Sequence, residues 1–179
     1  MDASSAFQDS LPMSSDALLA QMDDWGIAYR LFHHVPLRTV ADAKEVERDM
    51  LRDGETAFLT KNLYLRDRKK RNYLVTLEQD RDVDLKALGK ALGAGGLSFG
   101  SADRLLENLG IRPGAVSPLS MINGVGAGVT FILDTLARKA DVLYFHPLVN
   151  DRTIAITPED FERFCGQIGA EITWLPDMD

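Results

Sequence analysis

Two apolar runs, Thr56 to Leu65 and Tyr73 to Leu77, stand on either side of the stretch Arg66-Asp67-Arg68-Lys69-Lys70-Arg71. Strand side chains alternate between faces, and Tyr73, Val75 and Leu77 alternate with Leu74 and Thr76, so both runs read as strands. A connection this short joins only antiparallel neighbours. The chain must therefore build a β-hairpin with a highly charged tip, which excludes the strict strand–helix alternation of a doubly wound sheet.

The rest of the chain supplies helices with legible ends. Ser14-Ser15-Asp16 offers caps to a helix carrying Leu18, Met22 and Trp25, with Gly26 placed to end it. Thr39 and Asp42 have the spacing of a capping box, opening a short helix with Val40, Ala43 and Val46. Asp84 and Ser101 cap two more, and Thr157-Pro158-Glu159-Asp160 combines a capping hydroxyl, a first-turn proline and acidic residues that favour a helix N-terminus. Tyr29–His34, Val129–Leu133, Val142–Phe145 and Thr153–Ile156 complete the expected strands. The expectation is one mixed α/β domain over residues 14–179, preceded by a flexible leader, residues 1–13, that shows little periodicity.

Composition narrows the function. Twenty Lys+Arg against 27 Asp+Glu give a net charge of −7. A dedicated non-specific DNA binder, which gains affinity by neutralising many phosphates, is disfavoured. One cysteine and three histidines leave little for a zinc site, and Cys165, on the apolar face of the last helix, reads as a buried, inert thiol. No basic-then-apolar leader and no apolar run of about 20 residues is present, so secretion and membrane insertion are not expected and a reducing cytoplasmic setting fits best.

Among motifs, Gly124-Val125-Gly126-Ala127-Gly128 lacks the strand before it and helix after it that dinucleotide binding needs, and reads as a turn between two strands. His33 and His34 point to opposite faces of a strand. His146 ends an apolar strand before Pro147, either as a hydrogen-bonded terminus or as part of a site. Lys61, inside an apolar strand, either snorkels from an edge or meets a negative or developing charge. Five cations in the six positions from Arg66 to Arg71 form either a solvated tip or a local grip on phosphates (Arg66, Arg68, Lys69, Lys70 and Arg71). Gly114 to Pro118 brackets a tight loop whose backbone N–H groups either face a ligand or simply connect two elements.

In this order, Lys61-Asn62-Leu63-Tyr64-Leu65, Gly114-Ala115-Val116-Ser117-Pro118, Ile122-Asn123 and His146-Pro147 with Asn150 and Thr153 resemble the motifs of the YbaK and prolyl-tRNA-synthetase-associated editing-domain family. Tyr64 replaces the family's usual phenylalanine, and Gly124 stands where an acidic residue is common. The charged run from Arg66 and Leu97-Ser98-Phe99-Gly100 further resemble its free-standing alanyl-tRNA(Pro) deacylase subgroup, rather than the cysteinyl-tRNA(Pro) subgroup. The resemblance implies a curved, partly barrel-like mixed sheet flanked by helices, and hydrolysis of the ester of mischarged tRNA(Pro) with no metal or organic cofactor. It implies Lys61 as the catalytic polar residue near the terminal adenosine, and substrate contacts from Gly114, Ala115, Val116, Ser117, Pro118, His146, Asn62 and Asn123. Thr39 and Val40 are expected at the pocket wall. The water would be activated with help from a ribose hydroxyl of the substrate. A monomer acting on mischarged tRNA(Pro), with prolyl-tRNA synthetase as a further partner, is the corresponding expectation. A non-catalytic RNA-binding module of the same fold is the rival.

Overall fold

The computed structural model describes residues 1–175, apart from the side chain of Val40. All five expected helices form from the caps that announce them. Ser14 accepts from Ala17 N–H at the head of α1 (Ser15–Asp24), and Thr39 and Asp42 close a reciprocal capping box on α2 (Val40–Met50). Asp84 caps α3 (Leu85–Leu92) and Ser101 caps α4 (Ala102–Leu109). A one-turn α5 (Met121–Gly124) follows, and Thr157 with Pro158 opens α6 (Pro158–Ile168).

Among the described residues nine strands form two mixed sheets. In the first, the order is β1 (Arg30–His33), β8 (Arg152–Ile156), β7 (Val142–Phe145), β2 (Ala57–Phe58), with only the last pair parallel. In the second, it is β5 (Ser98–Phe99), β3 (Thr60–Arg66), β4 (Asn72–Glu78), β6 (Thr130–Asp134), β9 (Ile172–Leu175), with β4–β6 and β6–β9 parallel. The expected hairpin is β3–β4, from Thr60↔Glu78 to Arg66↔Asn72.

The run read as one strand, Thr56 to Leu65, is divided. Ala57 and Phe58 pair with β7 in one sheet, and the chain crosses at Leu59 to pair with β4 in the other. The two sheets are stitched there, where Thr60 Oγ1 donates to the Tyr144 carbonyl (3.1 Å). The Gly124–Gly128 turn also differs from expectation. It follows α5 rather than a strand, because Ser117 caps a 3-10 turn, Pro118–Ser120, that runs straight into α5.

The principal core lies under α1, α4 and α6, with Leu18, Met22, Leu109, Phe161 and Phe164 fully buried against Phe131 and Phe145. Cys165 belongs to this core, and burial pushes its thiol up to about 12. A second cluster lies beneath α3, where Leu88 covers Leu65, Val75 and Leu77. Residues 1–13, read above as a leader, hold a 3-10 helix, Ser5–Ser10, with Ala3 and Ser4 buried. The Asn150 N–H donates to the Ala3 carbonyl (2.8 Å), and the Ser5 hydroxyl donates to Asp151 (2.6 Å).

Candidate functional site

The crossover at Leu59 leaves a cavity of about 90 Å³ where the two sheets diverge, roofed by α2. Thr60 and Asn62 reach it from alternate positions of β3, Tyr144 to His146 from the end of β7, Thr153 from β8, and Ala43, Glu47 and Met50 from successive turns of α2. Asn62 is held from its partner strand. Thr76, directly opposite in register, donates its hydroxyl to Asn62 Oδ1 (2.7 Å), and Asn62 Nδ2 leans on Thr60 Oγ1 (3.4 Å).

His146 lines the far side, and a second imidazole, His34, stands next to it behind Thr153, with ring centroids 6.0 Å apart. His146 Nδ1 lies 2.7 Å from the Arg152 carbonyl and His34 Nδ1 lies 2.8 Å from the Val35 carbonyl. A carbonyl only accepts, so each neutral ring carries its proton on Nδ1 and leaves Nε2 as an acceptor. His34 Nε2 accepts from the Thr153 hydroxyl (2.8 Å). Burial, and then the neighbouring His34, hold His146 below the ordinary imidazole range. Neutral acceptor nitrogen is thus its resting form near pH 7.

A second, wider cavity of about 480 Å³ shares Leu37 with the first. Arg38, Arg112, Gly114 and Asn150 line it. Gly114 takes φ +97°, where a side chain would be strained. Asn150 Nδ2 donates to the Leu37 carbonyl (3.2 Å), while its buried Oδ1 has no partner.

At the hairpin tip the six-residue charged run is ordered by its one acid. Burial would raise the Asp67 carboxyl, but the Arg71 N–H, the Arg71 guanidinium (2.7 Å) and the Tyr73 hydroxyl (3.0 Å) outweigh that and hold it low. Arg68 leans away along Gly96 to line an open groove with Lys86 and Lys90 of α3.

The structure brings together only some of the expected site residues. Asn62 and His146 meet in the small cavity, and Gly114 lines the wide one. Lys61 is one residue out of phase. Its Nζ donates to the Arg81 carbonyl beyond the strand edge, and Arg81 in turn is paired with buried Asp134 (2.8 Å). Ala115 is buried, Val116 packs on the core, and Ser117 and Pro118 start the 3-10 turn. Asn123 donates to the Leu109 carbonyl (3.0 Å), tying α5 to α4. Thr39 is spent on its capping box, so the wall comes from one to three turns further along α2; the Val40 side chain lies outside the described residues. Of the basic run, Arg68, Lys69 and Lys70 are exposed, Arg71 is paired to Asp67, and Arg66 is half-buried.

Sequence reasoning missed Thr60, Glu47 and Gln79 as cavity residues, and His34 as the residue that holds Thr153 from behind. For Glu47 a signal existed: Ala43, Glu47 and Met50 share one helix face, and an acid between two apolar residues there is out of place on a purely packing surface. Among the described residues no three His, Cys, Asp or Glu side chains are grouped to hold a metal ion, and no helix is long and apolar enough to cross a membrane.

The family model for the aminoacyl-tRNA editing domain matches residues 34–164. The prolyl-tRNA editing protein ProX of Acetoanaerobium sticklandii is 33% identical over 151 residues, covering 84% of this chain and 89% of that protein. The prolyl-tRNA synthetase associated domain-containing protein 1 of Mus musculus is 42% identical over 115 residues, 62% of this chain and 68% of that one. A crystal structure described as a candidate trans-editing enzyme for prolyl tRNA synthetase superposes with a TM-score of 0.62 over 92% of this chain and 98% of that one. At 17% identity that likeness is one of fold.

Proposed function

The chain belongs to the aminoacyl-tRNA editing-domain family, and from that premise we propose that it is a trans-editing hydrolase that clears alanine from mischarged tRNA(Pro). The observation that carries the choice of substrate is the size and lining of the small cavity. Walls of Ala43, Met50, Leu59 and Tyr144 around a cavity of about 90 Å³ suit a methyl side chain, and to this wall we assign the exclusion of the bulkier pyrrolidine ring. Steric exclusion of the larger cognate residue is the discrimination a synthetase pocket cannot itself make against a smaller one, where a missing methylene is worth only about 1–3 kcal/mol.

In this reading the aminoacyl group enters the small cavity and the terminal nucleoside occupies the wide one beyond Leu37. There Gly114 exposes backbone, Asn150 Oδ1 offers an acceptor, and Arg38 and Arg112 meet phosphate. The Asn62 amide faces the developing oxyanion. His146 Nε2 accepts a proton-bearing group, either the attacking water or the ribose hydroxyl that orients it. Thr153, fixed by His34, holds the other edge. An aminoacyl ester is already activated, so positioning and oxyanion stabilisation suffice without a protein nucleophile. Lys61 is assigned a positioning part, through Arg81, in place of the ester contact expected from sequence. The exposed cations of the tip and α3 take the tRNA backbone. Residues 14–179 act as one editing domain, a monomer in the cytoplasm, receiving tRNA that a prolyl-tRNA synthetase has charged.

The test is deacylation of alanyl-, cysteinyl- and prolyl-tRNA(Pro) by the purified protein. Loss of alanine alone is expected. Preferential loss of cysteine would move the assignment to the cysteinyl deacylases, and RNA binding with all three esters intact would make the chain a binding module.

A further inference from the structure

The small cavity has an unusual polarity: apart from the Asn62 and Gln79 amides, the polar side chains that line it turn acceptors toward it. Thr60 gives its hydroxyl proton to the Tyr144 carbonyl and Thr153 gives its own to His34, so both hydroxyl oxygens turn lone pairs to the cavity. His146 spends its N–H on the Arg152 carbonyl and keeps Nε2 free of a proton. Into this ring projects Glu47, the only charged residue of the lining among the described residues. Among the described residues no cation lines the cavity, and Lys61 is drawn off to the Arg81 carbonyl. Burial raises the Glu47 carboxyl; a hydrogen bond from the Gln79 side chain and exposed Lys44 on the same helix act against that, and Asp80 adds to it.

A carboxylate within a set of acceptors, walled by Leu37, Ala43 and Met50, is complementary to a compact cation that brings several N–H donors. We propose that Glu47 receives the α-ammonium group of the aminoacyl ester, which makes the enzyme selective for esters that carry a free amine. This rests on the reading of the substrate as an aminoacyl ester, and adds which part of it is recognised besides the side chain. The –NH₃⁺ group has three donors, which match the Glu47 carboxylate, Thr153 Oγ1 and His146 Nε2 or Thr60 Oγ1. With the ammonium so held, the small substituent on the α-carbon is left to the apolar wall, and the carbonyl to Asn62.

The test uses tRNA(Pro) carrying a lactyl ester, made from alanyl-tRNA(Pro) by nitrous acid deamination. It replaces the ammonium by a neutral hydroxyl with almost no change in volume. Wild-type protein is expected to cleave the alanyl ester roughly 10–100-fold faster than the lactyl ester in kcat/KM, the span of a charge-assisted hydrogen bond. In Glu47→Gln the ratio should fall toward one, chiefly through KM for the alanyl ester. Because the readout is a ratio on one protein, partial loss of folded variant does not alter it, and the wild-type ratio stands even if the variant fails to fold. Equal cleavage of the two esters by wild type, or a preference that survives Glu47→Gln, would overturn the proposal while leaving the deacylase reading in place. If neither ester is cleaved, the deacylase reading falls and this assignment with it.

Discussion

The small cavity and the groove at the hairpin tip are both polar, but their polar groups are held in opposite ways. In the cavity each group is fixed by a second bond behind it: Asn62 by Thr76, Thr153 by His34, His146 by the Arg152 carbonyl. In the groove Arg68, Lys86 and Lys90 stand exposed on long side chains, and it is the backbone beneath them that is ordered, by Asp67 at the hairpin tip and by helix α3 under the two lysines. Fixed groups select among substrates that differ by an atom or two, because a mismatch leaves a desolvated partner unpaired. Mobile cations grip any phosphate chain and select little. The contrast assigns discrimination to one region and affinity to the other.

Breaking the fixed side should cost most. Asn62→Ala removes the donor assigned to the oxyanion, and kcat for alanyl-tRNA(Pro) is expected to fall about 100-fold, as for loss of a single oxyanion donor. Binding of uncharged tRNA, measured by filter retention, should be unchanged because the groove is untouched. The same substitution strands the Thr76 hydroxyl, which is fully buried, and thermal unfolding measured alongside separates that penalty of about 1–3 kcal/mol from the loss of rate. A fall in tRNA affinity as large as the fall in kcat would erase the division between the regions.

The mobile side should show the opposite signature. Reversing Lys86 and Lys90 to glutamate is expected to raise KM roughly 10-fold, leave kcat within about twofold, and make the log–log salt dependence of tRNA binding shallower by about two, one for each lost phosphate contact. Single-turnover rates at saturating enzyme read kcat free of binding. A change in the ratio of alanyl to prolyl cleavage would instead mean that the groove takes part in discrimination.

Much of the frame that carries these regions is legible in the sequence, because it is set by local rules. Ser14, Thr39, Asp84, Ser101 and Thr157 each cap the helix they announce. The hairpin follows from alternation on either side of a short charged loop. The cavity is less legible for a physical reason: alternation says that Lys61 and Asn62 face opposite ways, but which of them faces the site depends on where the other sheet lies. That is decided at Leu59, where the chain changes sheets with no glycine, proline or polar run to mark it. His34 was hidden in the same way, since choosing between it and His33 needs β8 in place. The short strands Ser98–Phe99 and Ile172–Leu175 owe their pairing to neighbours already formed, Arg66 and Leu65 for one and β6 for the other.

Lys61 is where these two kinds of knowledge meet, and the expected effect there is the smallest. Its ammonium holds the Arg81 carbonyl, and the Arg81 guanidinium holds Asp134 at the end of β6. Lys61→Ala therefore removes a tether outside the cavity and leaves the Asn62–Thr76 bond in place. A loss of only a few-fold in kcat/KM is expected, against about 100-fold at Asn62, and Lys61→Met, which keeps much of the aliphatic length without the charge, should behave like alanine. A loss at Lys61 equal to that at Asn62 would mean that the lysine leaves Arg81 when substrate binds and swings to the ester. The strand edge would then be a moving part of the site, and the boundary between the fixed and mobile regions would run through β3 itself.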